Sequence, residues 1–252
     1  GKRGGRRRAR ERRVEDAPVG QAGRLEHDPR QDLGERAEEP RERLRLLGPQ
    51  ALSDAELLAV LMAGAGPCAR QVGSARRLLA ALGGLAGVLH ASQPQFEALG
   101  AHGAVRFAQA QAAREIVKRA LREPLERGPL LDAPASVRQY LGLAFGRLGH
   151  EVFSVLFLDA QHRLIACEEL FRGTLTQTSV YPREVARRAL ARNCAAVILC
   201  HNHPSGLAEP SRADELLTRE LQSALRLLDI RVLDHIIVAA CATASFAELG
   251  LL

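Results

Sequence analysis

The sequence predicts an α/β (α+β) sandwich preceded by an all-α domain, on three observations. Apolar residues recur at helical spacing between residues 53 and 122, with Gly-rich turns between the runs. Residues 123–135 (EPLERGPLLDAPA) concentrate three Pro and break that pattern. Beyond them, strand-length apolar runs alternate with amphipathic helical stretches, as a mixed sheet covered by helices requires.

Each element follows from local chemistry. Residues 1–39 mix Arg, Glu, Gly, Asp and Pro with almost no apolar periodicity and read as a disordered, Arg-rich tail. A helical domain is expected over residues 40–122. In it, Ser53-Asp-Ala-Glu56 is a capping-box pattern opening Leu57-Leu-Ala-Val-Leu61, and helical patterns recur over 74–82, 93–99 and 105–121. The stretch 123–135 is expected to be a linker. A second domain is expected over 134–252. It starts with a helix over 136–148, followed by a buried strand over 152–158 and a second strand over 163–171. A helix over 182–193 has Pro182 in its first turn and Asn193 near its end. A short buried strand (195–200), a long amphipathic helix (210–228) and a closing strand (230–239) complete the set.

Composition narrows the functional classes. The chain is 46% hydrophobic and 25% charged, ordinary for a soluble protein. No apolar run approaches the 18 residues or so of a membrane span, and no apolar h-region follows the basic N-terminus as a secretory signal requires. The five Cys (Cys68, Cys167, Cys194, Cys200, Cys241) form no C-x-x-C pair and fit reduced thiols, so a cytoplasmic location is expected. The net charge of +6 invites a nucleic-acid reading. Residues 1–13 alone carry +7, however, so the remaining 239 residues sum to −1. A basic arm of this kind binds phosphates weakly and without sequence preference, or is simply solvated.

The chemistry is concentrated in Cys200-His-Asn-His-Pro-Ser-Gly-Leu-Ala-Glu-Pro-Ser-Arg-Ala-Asp214. Side chains alternate along an extended chain, so His201 and His203 face one side while Asn202 and Cys200 face the other. Pro204-Ser-Gly206 turns the chain, and a helix beginning near Ser211 places Asp214 in its first turn, where it can reach back to the His pair. Two imidazoles and a carboxylate supply three ligands and leave a fourth position open, the pattern of catalytic rather than structural zinc. The same letters have a plainer reading, since Ser-x-x-Asp is also an N-cap with a first-turn acid. His235 reads as a packed strand residue.

His201-x-His203, ten intervening residues, then Asp214, with Ser211 three before it, resembles the JAMM motif of JAB/MPN metalloproteases. With His-Asn-His-Pro-Ser-Gly, Pro182-Arg-Glu184 and Asp234-His-Ile-Ile237, the chain is similar to the bacterial RadC family. Pro40-Arg-Glu-Arg-Leu44 and Leu52-Ser-Asp-Ala-Glu-Leu-Leu58 resemble the start of that family's helical region, so the likeness covers about residues 38–252. It implies a JAB/MPN domain that binds Zn2+ through His201, His203 and Asp214 and hydrolyses an amide bond of a peptide or protein. It further implies that Ser211 donates to the oxyanion and that an upstream Glu is the general base. Glu151 best fits the junction of first helix and first strand where the family places that Glu. Glu168 is the fallback, and Glu169 and Glu184 are the other candidates. Tyr181 stands where RadC chains more often have His, and Leu207-Ala208 replace a more polar pair.

Leu99-Gly-Ala-His-Gly103-Ala-Val-Arg-Phe-Ala108 resembles a helix-hairpin-helix turn, in which backbone N–H groups bind a DNA phosphate. Here Ala101, His102 and Phe107 depart from that pattern, and a docking or structural role for the module is equally open. The alternative function is therefore a DNA-associated repair or accessory protein, with weak DNA binding through the tail or the helical domain.

Overall fold

The computed structural model describes residues 39–64, 66–100, 102–130, 134–173 and 180–252. The expected disordered tail, apart from its last residue, and Ala101 of the hairpin lie outside them. Glu39, expected within the tail, instead accepts hydrogen bonds from the backbone N–H of Cys68 (2.6 Å) and Ala69 (3.3 Å) at the start of a helix.

The helical region holds α1 (Pro40–Leu47), a 3-10 turn (Pro49–Ala51), α2 (Asp54–Met62), α3 (Ala69–Leu82), α4 (Gly84–His90), α5 (Gln93–Glu97) and α6 (Gly103–Arg127). The capping box read from Ser53 and Glu56 is present at the start of α2. Leu58, Ala59, Leu78, Val88, Phe96 and Ala110 form its core. The hairpin-like turn before α6 is built on glycine. Gly100 has φ +138°, and a Cβ on Gly103 would lie 2.5 Å from both Glu97 Cα and the Phe96 carbonyl oxygen. Phe107 packs edge-on against Phe96 at 6.0 Å, so its departure from the hairpin pattern serves the core. No single helix among the described residues is long and apolar enough to cross a membrane. Helices α3 and α4 pass that test only together, and they meet at an 84° bend.

The expected linker at 123–135 is corrected in its first part. Helix α6 runs on through Pro124 to Arg127, because Leu125 is buried in the sheet core with Leu130. Burying these side chains outweighs one hydrogen bond lost to the Pro, and the long helix joins the two regions directly. Arg114 on α6 and His90 at the end of α4 also reach the carbonyl oxygen of Leu143.

The second region comprises α7 (Pro134–Phe145), β1 (Glu151–Leu158), β2 (Leu164–Gly173), α8 (Pro182–Ala191), β3 (Ala196–Asn202), α9 (Arg212–Arg226), β4 (Arg231–Val238), β5 (Thr243–Ser245) and α10 (Phe246–Leu249). The sheet order is β2-β1-β3-β4-β5, with β3 and β4 parallel and the other neighbours antiparallel. Every residue of β3 is buried, as a central strand covered on both faces must be. Leu156, Ile198, Cys200 and Ile236 face α7, which contributes Val137, Leu141 and Phe145. Phe153, Val155, Val197 and Leu199 face the other way, against Val185 and Ala189 of α8 and Leu221 and Leu225 of α9. The expected mixed sheet under helices is thus what the chain forms, and both faces of β3 are fully engaged. Asn193, with φ +49°, ends the turn after α8 as its side chain allows.

Candidate metal centre

The site lies at the carboxyl end of β3, where α9 begins. His201 shares the face of Val197 and Leu199, so it points beneath α9 rather than toward α7. The chain leaves the ladder after Asn202. His203 N–H still donates to the Val238 carbonyl (2.8 Å), and Gly206, with φ +88°, completes the turn. Ser211 caps α9: its Oγ accepts from Asp214 N–H (3.2 Å), and Asp214 Oδ2 accepts from Ser211 N–H (2.8 Å) and from Ser211 Oγ–H (2.6 Å). The cap and the ligand readings of Asp214 are therefore compatible, since Oδ2 serves the cap while Oδ1 is left for the site.

His201, His203 and Asp214 come together as the sequence anticipated. Their ligand atoms lie within 4.8 Å of one another. His201 Nε2 is 2.9 Å from His203 Nε2 and 3.3 Å from Asp214 Oδ1. Hydrogen bonds on the far sides of the rings assign their protons. His203 Nδ1 donates to the Leu207 carbonyl (2.8 Å), which leaves a lone pair on its Nε2. Thr218 Oγ1 donates to the Asp214 carbonyl (2.6 Å), so it accepts from His235 Nδ1 (2.6 Å). His235 is buried, and that burial pushes its pKa well down, so the ring is neutral and its Nε2 accepts from His201 Nδ1 (2.8 Å). In the neutral ring, the form that can bind a metal, His201 Nε2 is then a lone pair as well.

Three acceptors thus converge: two imidazole nitrogens and Asp214 Oδ1, a buried oxygen without a hydrogen-bond donor. Burial opposes the Asp214 charge, but the Ser211 N–H and Oγ–H donors favour it and lower its pKa below the usual carboxylate range. A lone-pair set of this kind is repulsive unless a cation sits among its members. A tetrahedral ion bound at about 2.0–2.1 Å would set its ligands about 3.3 Å apart. The two separations from His201, 2.9 and 3.3 Å, are close to this, while His203 Nε2 comes nearest Asp214 at Oδ2, 3.8 Å away. The residues fit a borderline divalent metal.

His235 and Thr218 were not assigned a role from the sequence, where His235 reads only as a packed strand residue. It does pack, between Phe153 (5.8 Å) and Phe246 (4.8 Å). It also fixes which nitrogen of His201 faces the site. The available signal was its position on a strand that pairs with β3 in parallel, Leu199 opposite His235. Replacing His235 with Phe is expected to weaken metal binding at this site about 10–100-fold, as loss of a ligand's hydrogen-bond partner does elsewhere, and His235→Gln is expected to recover part of that loss. Competition with a chromophoric chelator measures both.

The carboxylates divide by surroundings. Glu151 opens β1, half-buried, on the face shared by Phe153 and His201. Glu168 aligns with Val155, further along the sheet, and is paired with Arg192 and with Arg188 at 3.5 Å. Glu169 pairs with Arg172 (2.6 Å) and Glu184 with Arg187 (2.9 Å). Cys200 is wholly buried on the α7 side, and burial raises its thiol pKa well above the usual value. Cys167 is pushed up to about 11 by the same cause. Neither is poised as a nucleophile.

A sheet covered on both faces, with His-x-His at the end of its central strand and Asp in the next helix, defines a JAB-type domain with a candidate metal site. Comparison with known families agrees: the RadC-like JAB domain matches residues 131–251 and the UPF0758 N-terminal family matches residues 34–108. The chain belongs to the RadC (UPF0758) family. It is 56% identical over 213 residues to the UPF0758 protein of Leptothrix cholodnii, covering 84% of this chain and 96% of that one. To the UPF0758 protein of a Polaromonas species it is 54% identical over 221 residues, covering 88% and 98%. To that of Halorhodospira halophila it is 54% identical over 217 residues, covering 86% and 97%.

Proposed function

We propose that this chain is a zinc-dependent peptidase or isopeptidase that hydrolyses an amide bond. The observation that carries this reading is the convergence of His201, His203 and Asp214, with a carboxylate, Glu151, on the same face of the sheet. When bound, zinc supplies Lewis acidity, polarising a carbonyl and lowering the pKa of a coordinated water to about 7. His201, His203 and Asp214 Oδ1 would hold it. Glu151 accepts the proton of the attacking water and returns it to the leaving amine. Ser211 donates to the oxyanion of the tetrahedral intermediate. Its hydroxyl, which here donates to Asp214 Oδ2, turns to the substrate for that step.

The test is metal analysis joined to hydrolysis. The purified chain is expected to hold about one zinc and to cleave members of a panel of peptides and isopeptide-linked conjugates. Chelation should stop cleavage and added zinc restore it. A chain that binds no added zinc overturns the proposal, as does a zinc-loaded chain that is inert on the whole panel.

A further inference from the structure

The residue between the two histidines contributes a separate geometry. Asn202 is completely buried and points away from His201 and His203, into the α7 side of the sheet. The antiparallel ladder between β1 and β3 ends at the pair Phe153–His201. The next rung would join the backbones of Val152 and Asn202. Instead the Asn202 side chain takes that place: its Oδ1 accepts from Val152 N–H at 2.8 Å. Its Nδ2 donates to the carbonyl oxygens of His150 (3.0 Å) and Leu148 (3.4 Å). The amide orientation is determined by these partners, because a flipped amide would set N–H against N–H and oxygen against two carbonyls.

These three partners, residues 148, 150 and 152, bracket Glu151. The segment between α7 and β1 has no regular structure from Gly146 to His150. One buried side chain on the strand that carries both imidazoles therefore ties down the backbone on either side of the carboxylate. An amide buried this completely is costly to leave without partners, so it holds them firmly. Apolar residues would suffice to fill the space, but they would not set a hydrogen-bonded register between two strands at the point where they part.

We propose that Asn202 is a positioning residue for Glu151, setting where that carboxylate stands relative to the metal held by His201 and His203. This rests on the reading of Glu151 as general base. Asn202 touches neither metal nor substrate. It acts through the backbone of residues 148–152.

The experiment compares Asn202→Ala, Asn202→Asp, Glu151→Gln and the Glu151→Gln/Asn202→Ala double variant, each loaded with zinc or with Co2+. Asn202→Ala is expected to keep about one metal per chain and to lose about 10–100-fold in kcat, the range seen for residues that support a metal site from behind, with KM nearly unchanged. Added to Glu151→Gln, it should cost nothing further, since residues acting as one unit are not additive. At one fixed pH, the visible bands of the Co2+ protein should change in Asn202→Ala as they do in Glu151→Gln. Asn202→Asp keeps the bond to Val152 N–H but sets an oxygen against the Leu148 and His150 carbonyls, and should be at least as impaired as Asn202→Ala. Loss of metal or fold in both Asn202 variants overturns the proposal and makes the residue purely structural. So does a further loss of activity in the double variant, or Co2+ bands in Asn202→Ala that match wild type. If the zinc-loaded wild type hydrolyses nothing, the proposed function fails, while the Co2+ comparison still decides whether Asn202 positions Glu151.

Discussion

Replacing Asp214 with Asn is expected to empty the site of metal while leaving the chain folded. The wild-type set presents three acceptors, with Asp214 Oδ1 3.3 Å from His201 Nε2 and His203 Nε2 2.9 Å from His201 Nε2. The substitution removes the one negative charge and, with the new amide turned toward the rings, supplies a donor to a lone pair that lacked one. Loss of a ligand should exceed the 10–100-fold penalty known for its supporting partners, so zinc affinity is expected to fall by more than about 100-fold. The metal-free variant should be modestly less stable than the metal-free wild type, because the folded chain favours the Asp214 carboxylate over its neutral form. Zinc, which binds only the folded chain, should raise the melting temperature of the wild type and leave that of Asp214→Asn unmoved. Metal analysis after dialysis and thermal melts with and without zinc check this. A variant that keeps a full equivalent of zinc would show that Asp214 is a helix cap alone.

The second large effect is expected at Glu151. Glu151→Gln should retain the metal, since the residue is not among the three converged ligands, and should lose about 100- to 10,000-fold in hydrolysis, the usual contribution of a general base. The amide has the shape of the carboxylate but cannot take up a proton. Glu168→Gln provides the contrast. That carboxylate faces Arg188 and Arg192 on α8, so its substitution should affect stability modestly and leave kcat close to wild type. Measured kcat for both variants, at matched zinc content, separates the two carboxylates. If Glu168→Gln is the inactive one, the base is Glu168.

Much of the architecture was legible because its signals are local. The His-x-His spacing uses strand alternation, and Ser211 and Asp214 use the first turn of a helix, so short stretches of chain specify where each ligand points. The mixed sheet followed from apolar runs of strand length between amphipathic helices. The linker reading at 123–135 illustrates the limit. Pro124 is a local breaker, yet α6 passes through it because Leu125 finds a place in the core beneath the sheet. No feature of the neighbouring residues announces that.

The supporting polar network was illegible for the same reason. His235 is 34 residues from His201 and Thr218 is 17 residues from His235, and only the parallel pairing of β3 with β4 and the packing of α9 bring them into line. Asn202 could be placed on the face opposite the histidines by alternation alone. That its amide would bond residues 148, 150 and 152 depends on β1 lying beside β3, some 50 residues away in sequence. The amino-acid order by itself determined the family, the ligand types and their local spacing, because those are written in contiguous residues and short periodicities. Tertiary structure alone decided which imidazole nitrogens face the site and which oxygen of Asp214 is left for a cation. Those choices are made by hydrogen bonds and burial between segments distant in the chain, and they exist only once the sheet has assembled.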